Sequence, residues 1–238
     1  MPYLRALWFN LTFYGATLVM SVLLMPSLLL PRKRLVQAVY IWLWVVAWVE
    51  KHAGGISYQL IGRENLPQGA CLVACKHQSE WETFKIHLWV HDPAIVLKRE
   101  LLNIPLIGSY MKLSGSIPID RSGGVQAMEG MIDAAKKAAA ECRPIVIFPE
   151  GTRVALGDRR PYKSGVAALY QELNVPLVPI ALNSGLLWPK NTFFKKKGHI
   201  TVEILPPIPP GLPRAEMMAR LRESLETATD RLVAYKIS

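Results

Sequence analysis

Residues 6–30, ALWFNLTFYGATLVMSVLLMPSLLL, carry no charged side chain. At the helical rise of about 1.5 Å per residue, such a run is long enough to cross a hydrocarbon core of about 30 Å. Pro31-Arg32-Lys33-Arg34 then interrupts it, and LVQAVYIWLWVVAWVE follows with Trp42, Trp44 and Trp48. This second segment is short for a full span and rich in residues that favour the membrane interface. Residues 1–55 therefore read as a membrane-associated two-helix hairpin. Either its first helix spans with the N-terminus outside, or both helices dip into one leaflet. The basic turn prefers the cytoplasmic side, so both arrangements leave the remaining chain on the cytoplasmic face. A cleaved signal peptide fits poorly, because the apolar run is too long and only Arg5 precedes it as a charge.

Composition separates the partners. A formal net charge of +10 with 51% hydrophobic residues implies an anionic surface, either nucleic acid or an acidic leaflet. The apolar N-terminus favours the leaflet, and no nucleic-acid partner is expected. The three cysteines are an odd number, which argues against a disulfide framework and for a reducing compartment. Cys71 and Cys75 lie in the apolar run CLVAC and read as packing residues.

From about residue 56 the pattern changes. CLVAC (71–75), AIVLK (94–98), GSIPI (115–119), PIVIF (144–148), PLVPIAL (176–182) and HITVEIL (199–205) read as strands. Helices are expected near 80–91, 123–141, 164–173 and 214–234, the last with Met218, Leu221, Leu225, Ala228 and Leu232 along one stripe. Strands alternating with helices define an α/β domain over residues 56–238, with a mostly buried sheet flanked by helices.

The chemistry-bearing residues follow strands. KHQSEWETF, from Lys76, reads first as a helix start: Ser79 as N-cap, with Glu82 reaching back to its N–H in a capping box. That account leaves His77 unexplained. It falls between a strand and a helix, where open α/β sheets hold ligands, and Glu82 lies one turn further on to orient the imidazole. Ile119-Asp120-Arg121-Ser122-Gly123-Gly124 and Phe148-Pro149-Glu150-Gly151-Thr152-Arg153 also follow strands. Glycine permits close backbone approach, and arginine offers a planar fork for phosphate. A solitary arginine commonly pairs with a neighbouring acid, but three such loops after three strands can converge on one cleft. His87 and His91, spaced i,i+4, are a possible metal pair, although imidazole also suits a last helical turn before Pro93. GDRRPYKS (157–164) lacks the glycine that a phosphate loop places before its lysine. LLWPKNTFFKKKG (186–198) suits docking on a leaflet through Lys195, Lys196 and Lys197.

Together these motifs resemble the glycerolipid acyltransferases, in particular the 1-acyl-glycerol-3-phosphate (lysophosphatidic acid) acyltransferases of bacterial phospholipid synthesis. KHQSEWE looks like the family's His-x4-Asp signature, with Glu82 where aspartate is usual. LKREL (97–101), GSIPIDR (115–121), FPEGTR (148–153) and VPLVPIAL (175–182) are similar to its further motifs, in the same order. The resemblance implies that His77 deprotonates the free hydroxyl of a lysophospholipid, which attacks the thioester of acyl-CoA or acyl-carrier protein. Glu82 would orient His77. Arg121, Arg153 and Lys98 would hold the acceptor phosphate, while Glu150, Gly151 and Thr152 would shape the glycerol side. No metal or redox cofactor is implied, and the implied location is the cytoplasmic face of a bacterial inner membrane. Other lysolipid acceptors, among them lyso-ornithine lipid and glycerol-3-phosphate, and a non-catalytic lipid-binding role, are the alternatives.

Overall fold

The computed structural model describes residues 2–234. Its strands are β1 (Ile56–Ile61), β2 (Leu72–Cys75), β3 (Ala94–Lys98), β4 (Ile117–Ile119), β5 (Ile145–Ile147), β6 (Leu177–Leu182) and β7 (Gly198–Ile204). The helices are α1 (Pro2–Leu23), α2 (Arg32–Val49), α3 (Trp81–Trp89), α4 (Ile107–Leu113), α5 (Gly124–Ala140), α6 (Ser164–Leu173) and α7 (Arg214–Ala234). The strands form one sheet in the order β1-β7-β6-β2-β5-β3-β4. All neighbours are parallel except β6 and β7. Within the sheet, Leu72 and Ala94 both stand opposite Ile145, and Val73 opposite Val178.

The near-continuous apolar strands follow from burial on both faces. Along β2, Val73 and Cys75 enter a core with α1, α2 and α3, while Leu72 and Ala74 enter a second core with α5, α6 and α7. The period of two sorts one strand's residues between two layers. On α7 the inward stripe holds Leu221, Leu225 and Ala228 as expected, but Met217 rather than Met218 is fully buried at its start. Two elements go beyond the sequence reading. The edge strand β1 is half-exposed, and the short α4 forms only where Gly108 lies against the Leu102 carbonyl; a Cβ there would be 2.0 Å from that oxygen.

The N-terminal hairpin packs onto the α/β domain. Phe9 and Phe13 of α1 meet Trp188, with ring centroids 5.4 and 5.1 Å away. The buried pair Lys85 Nζ–Glu50 Oε2, at 2.6 Å, joins the end of α2 to α3. Arg32 of the basic turn is held by both oxygens of Asp92, at 2.7 and 2.8 Å, which leaves Lys33 and Arg34 exposed. The outer side of α1 remains uncovered: Leu4, Trp8, Leu11, Leu18 and Leu23 are exposed. Tyr3–Leu23 is long and apolar enough to cross a membrane.

Candidate active site

Because β2, β3, β4 and β5 run parallel, their carboxyl ends share one edge, and each delivers one of the loops singled out above. His77 follows β2, Lys98 ends β3, Arg121 follows β4, and Glu150–Arg153 follow β5.

His77 Nδ1 lies 2.9 Å from Glu82 Oε1. The same oxygen accepts the N–H groups of Gln78 (2.7 Å) and Ser79 (2.6 Å), and Oε2 accepts Ser184 Oγ–H at 2.8 Å. Glu82 is fully buried, so these four donors replace its lost hydration. A carboxylate oxygen only accepts, so Nδ1 carries the hydrogen and Nε2 keeps its lone pair. The imidazole stacks on Phe148 (4.3 Å between centroids), and the His77 carbonyl accepts Val154 N–H at 2.7 Å. Two motifs far apart in sequence thereby fix one ring. The capping box forms in part: Glu82 does bond the Ser79 N–H, but Ser79 Oγ accepts from Trp81 at 3.1 Å.

Glu150 is buried, with its carboxylate 3.1 Å from Lys76 Nζ. Lys76 also meets Glu226 of α7 at 2.6 Å, and Tyr162 OH donates to Glu226 at 2.8 Å. Burial pushes the Glu150 carboxyl up, opposed by the Lys76 ammonium. Burial also pushes the Tyr162 phenol far above its ordinary value, reinforced by Glu226. Gly151 has φ +67°, a backbone conformation that strains any larger residue, and a Cβ there would sit 3.1 Å from Lys163 Cγ, which would have to shift.

The cations occupy different surroundings. Lys98 is half-exposed and pairs with Glu100 at 3.0 Å. Arg121 is exposed on an Asp120 turn, in which Asp120 Oδ1 accepts Ser122 N–H at 2.9 Å. Arg153 bonds Asn191 Oδ1 at 3.2 Å and lies 3.7 Å from Glu80. Glu80 in turn accepts from Trp188 (3.0 Å) and Tyr14 of α1 (3.3 Å). A cavity of about 860 Å³ opens beside His77, with apolar walls supplied by α1, α3, β3 and α4. Lys98 and Arg121 stand on its rim, and its size is that of a lipid-sized ligand site.

Several residues that build the site escaped sequence reading. Ser184 and Glu226 are distant in sequence from the residues they support, and nothing local marks them. Lys76 precedes His77 directly, and a lysine ending an otherwise apolar strand was a visible signal. His87 and His91 do not form a metal pair: α3 ends at Trp89, and His91 stacks on Tyr40 at 6.2 Å. Among the described residues no three His, Cys, Asp or Glu side chains group as metal ligands. Lys195 does not face a leaflet. It is buried, its Nζ bonding Asn10 Oδ1 and the Thr192 carbonyl, and burial pushes its ammonium pKa down.

A histidine backed by a buried carboxylate thus stands at the carboxyl edge of a parallel run of strands, beside an apolar cavity. The Acyltransferase family model matches residues 57–183, and the chain belongs to that family. It is 36% identical over 165 residues to 1-acyl-sn-glycerol-3-phosphate acyltransferase of Pseudomonas aeruginosa, covering 69% of this chain and 64% of that protein. It is 30% identical over 174 residues to 1-acyl-sn-glycerol-3-phosphate acyltransferase beta of Homo sapiens, covering 71% and 62%. The chain thus spans less than two thirds of the length of these curated relatives. The crystal structure of the 1-acyl-sn-glycerophosphate (LPA) acyltransferase PlsC from Thermotoga maritima shares the fold: TM-score 0.76 at 21% identity, covering 98% of this chain and 99% of that one.

Proposed function

We propose that the protein transfers a fatty acyl group from acyl-CoA or acyl-carrier protein to the free hydroxyl of lysophosphatidic acid, giving phosphatidic acid. The observation that carries the reading is the His77–Glu82 contact of 2.9 Å beside an apolar cavity in a chain of the Acyltransferase family. His77 Nε2 takes the hydroxyl proton while Glu82 balances the imidazolium. The freed oxygen attacks the thioester carbonyl, the C–S bond breaks, and the thiolate takes the proton back from His77. General-base help contributes about 10² to 10⁴ in rate, so positioning supplies much of the remainder. Lys98, Arg121 and Arg153 hold the acceptor phosphate, Glu150, Gly151 and Thr152 shape the glycerol side, and the apolar cavity takes the acyl chain.

In this reading residues 1–55 anchor the catalytic residues 56–238 to the cytoplasmic face of a bacterial inner membrane. Contacts near both ends of α1 support a hairpin lying against the domain rather than a free span. Arg5 donates to the Lys195 carbonyl at 2.7 Å, and Tyr110 OH donates to the Ser21 carbonyl at 3.0 Å. The exposed Lys196 and Lys197, beside Phe193 and Phe194, face an anionic leaflet.

The test is acyl transfer to lysophosphatidic acid by full-length protein, comparing wild type with His77→Ala. Loss of turnover with circular dichroism intact is expected. A variant as active as wild type would place the base elsewhere. Wild type inactive with both donors would move the reading to another lysolipid acceptor.

A further inference from the structure

The segment GDRRPYKS has no part in the His77–Glu82 pair, yet the structure gives it a defined place. Tyr162 is buried and tied to Glu226, and Lys163 N–H donates to the Pro149 carbonyl at 2.8 Å. Anchored in this way, the segment puts Arg160 and Lys163 on the wall of a second cavity of about 530 Å³. Arg121, Glu150, Gly151, Thr152 and Pro161 complete the wall.

Three cations, Arg121, Arg160 and Lys163, converge there, and among the described residues none of them is held in an ion pair, whereas neighbouring Arg159 is held by Asp230 at 2.6 Å. The one carboxylate on the wall, Glu150, is turned onto Lys76. Converging positive charge raises the local concentration of anions. Arg121, Gly151 and Lys163 also line the large apolar cavity, so the two cavities share a wall.

We propose that this second cavity seats a phosphate of the acyl donor, with Arg160 and Lys163 as its dedicated ligands and Arg121 at the junction with the acceptor. The assignment rests on the acyl-transfer reading above. A donor whose chain fills the apolar cavity and whose carbonyl faces His77 must lead its water-soluble carrier outward. In both acyl-CoA and acyl-carrier protein that carrier is a pantetheine arm ending in a phosphate. The exposed Arg121 and Arg160 meet solvent, from which a soluble donor arrives. Arg153 instead lies with Glu80, which bonds Tyr14 of α1, and so stands toward the lipid side with the acceptor.

The test uses full-length protein with Arg160→Ala, Lys163→Ala and the pair. Calorimetry measures binding of coenzyme A and of 4′-phosphopantetheine. Kinetics compare the KM for acyl-CoA, acyl-carrier protein and lysophosphatidic acid, with a phosphate-free acyl-pantetheine as a further donor. Each single variant is expected to weaken coenzyme A binding and raise the donor KM about tenfold, with the lysophosphatidic acid KM steady. Turnover of acyl-pantetheine should not change, which a merely structural defect would not allow. Sensitivity with both carriers would place the pantetheine phosphate in the cavity, and sensitivity with acyl-CoA alone would place the nucleotide phosphates there. Wild type without coenzyme A affinity, variants that move only the lysophosphatidic acid KM, or variants that move nothing would each overturn the proposal. If no thioester is turned over but the variants still lose coenzyme A, the anion site stands and the acyl-transfer reading fails.

Discussion

Replacing Glu82 by glutamine tests whether its carboxylate serves the reaction or only the helix start. Glutamine keeps the size of the side chain. Its amide oxygen in place of Oε1 still accepts from His77 Nδ1 and from the N–H groups of Gln78 and Ser79. Its NH₂ then faces Ser184 Oγ, which turns its hydroxyl to accept. Four charge-assisted bonds become neutral, a loss of about 1 kcal/mol each, partly offset by the easier burial of an uncharged group. The fold therefore survives. The imidazolium formed during proton transfer does not fare as well. A unit charge pair about 4 Å apart interacts by about 4 kcal/mol at an effective dielectric of 20, which converts to about 10³ in rate. We expect Glu82→Gln to lower kcat by about 10² to 10³ with its circular dichroism and melting curve close to wild type. The assay is thiol release from acyl-CoA in mixed micelles containing lysophosphatidic acid. Wild-type turnover in this variant would refute the pairing and leave Glu82 as a capping residue. Glu82→Ala is less informative: it orphans two backbone donors and the Ser184 hydroxyl, about 3–9 kcal/mol in all, enough to unfold a typical domain.

Lys76→Met leaves Glu150 and Glu226 buried without their shared cation. We expect a loss of about 3–5 kcal/mol, read as a fall in denaturant midpoint, and an unchanged midpoint would show that the lysine is dispensable. His87 borders the apolar cavity, and burial holds its pKa down at about 4 from an ordinary 6.5. The folded chain therefore binds fewer protons than the unfolded one between these values, and stability falls as pH drops through that window, by about 3 kcal/mol at pH 4. Urea titrations at pH 7 and pH 4.5 should diverge less for His87→Leu than for wild type; equal divergence would exclude His87 as the cause. Lys196→Glu with Lys197→Glu should weaken co-sedimentation with anionic vesicles and spare zwitterionic ones. Unaltered binding to anionic vesicles would discard leaflet docking by this loop.

The sequence by itself determined the α/β plan of a buried sheet flanked by helices, because hydrophobic period and turn residues are local properties. β3 and α6 fall on the residues their patterns predict, and β2, β4, β5, β6 and β7 lie within about two residues of theirs. It also placed His77, Lys98, Arg121 and Glu150–Arg153 at or just beyond the ends of strands, where an apolar run gives way to polar and charged residues. Only the tertiary structure decided what those residues touch. Ser184 reaches Glu82 from 102 positions away, and Glu226 reaches Lys76 from 150. Such pairings depend on strand order, in which β6 and β5 flank β2, and no local pattern encodes that order. The same holds for charge. Lys195, Lys196 and Lys197 are chemically identical in sequence, but packing of α1 over the loop buries the first and leaves the others in solvent. Burial is set by everything that folds onto a residue, so a lysine's availability is a property of the assembled chain.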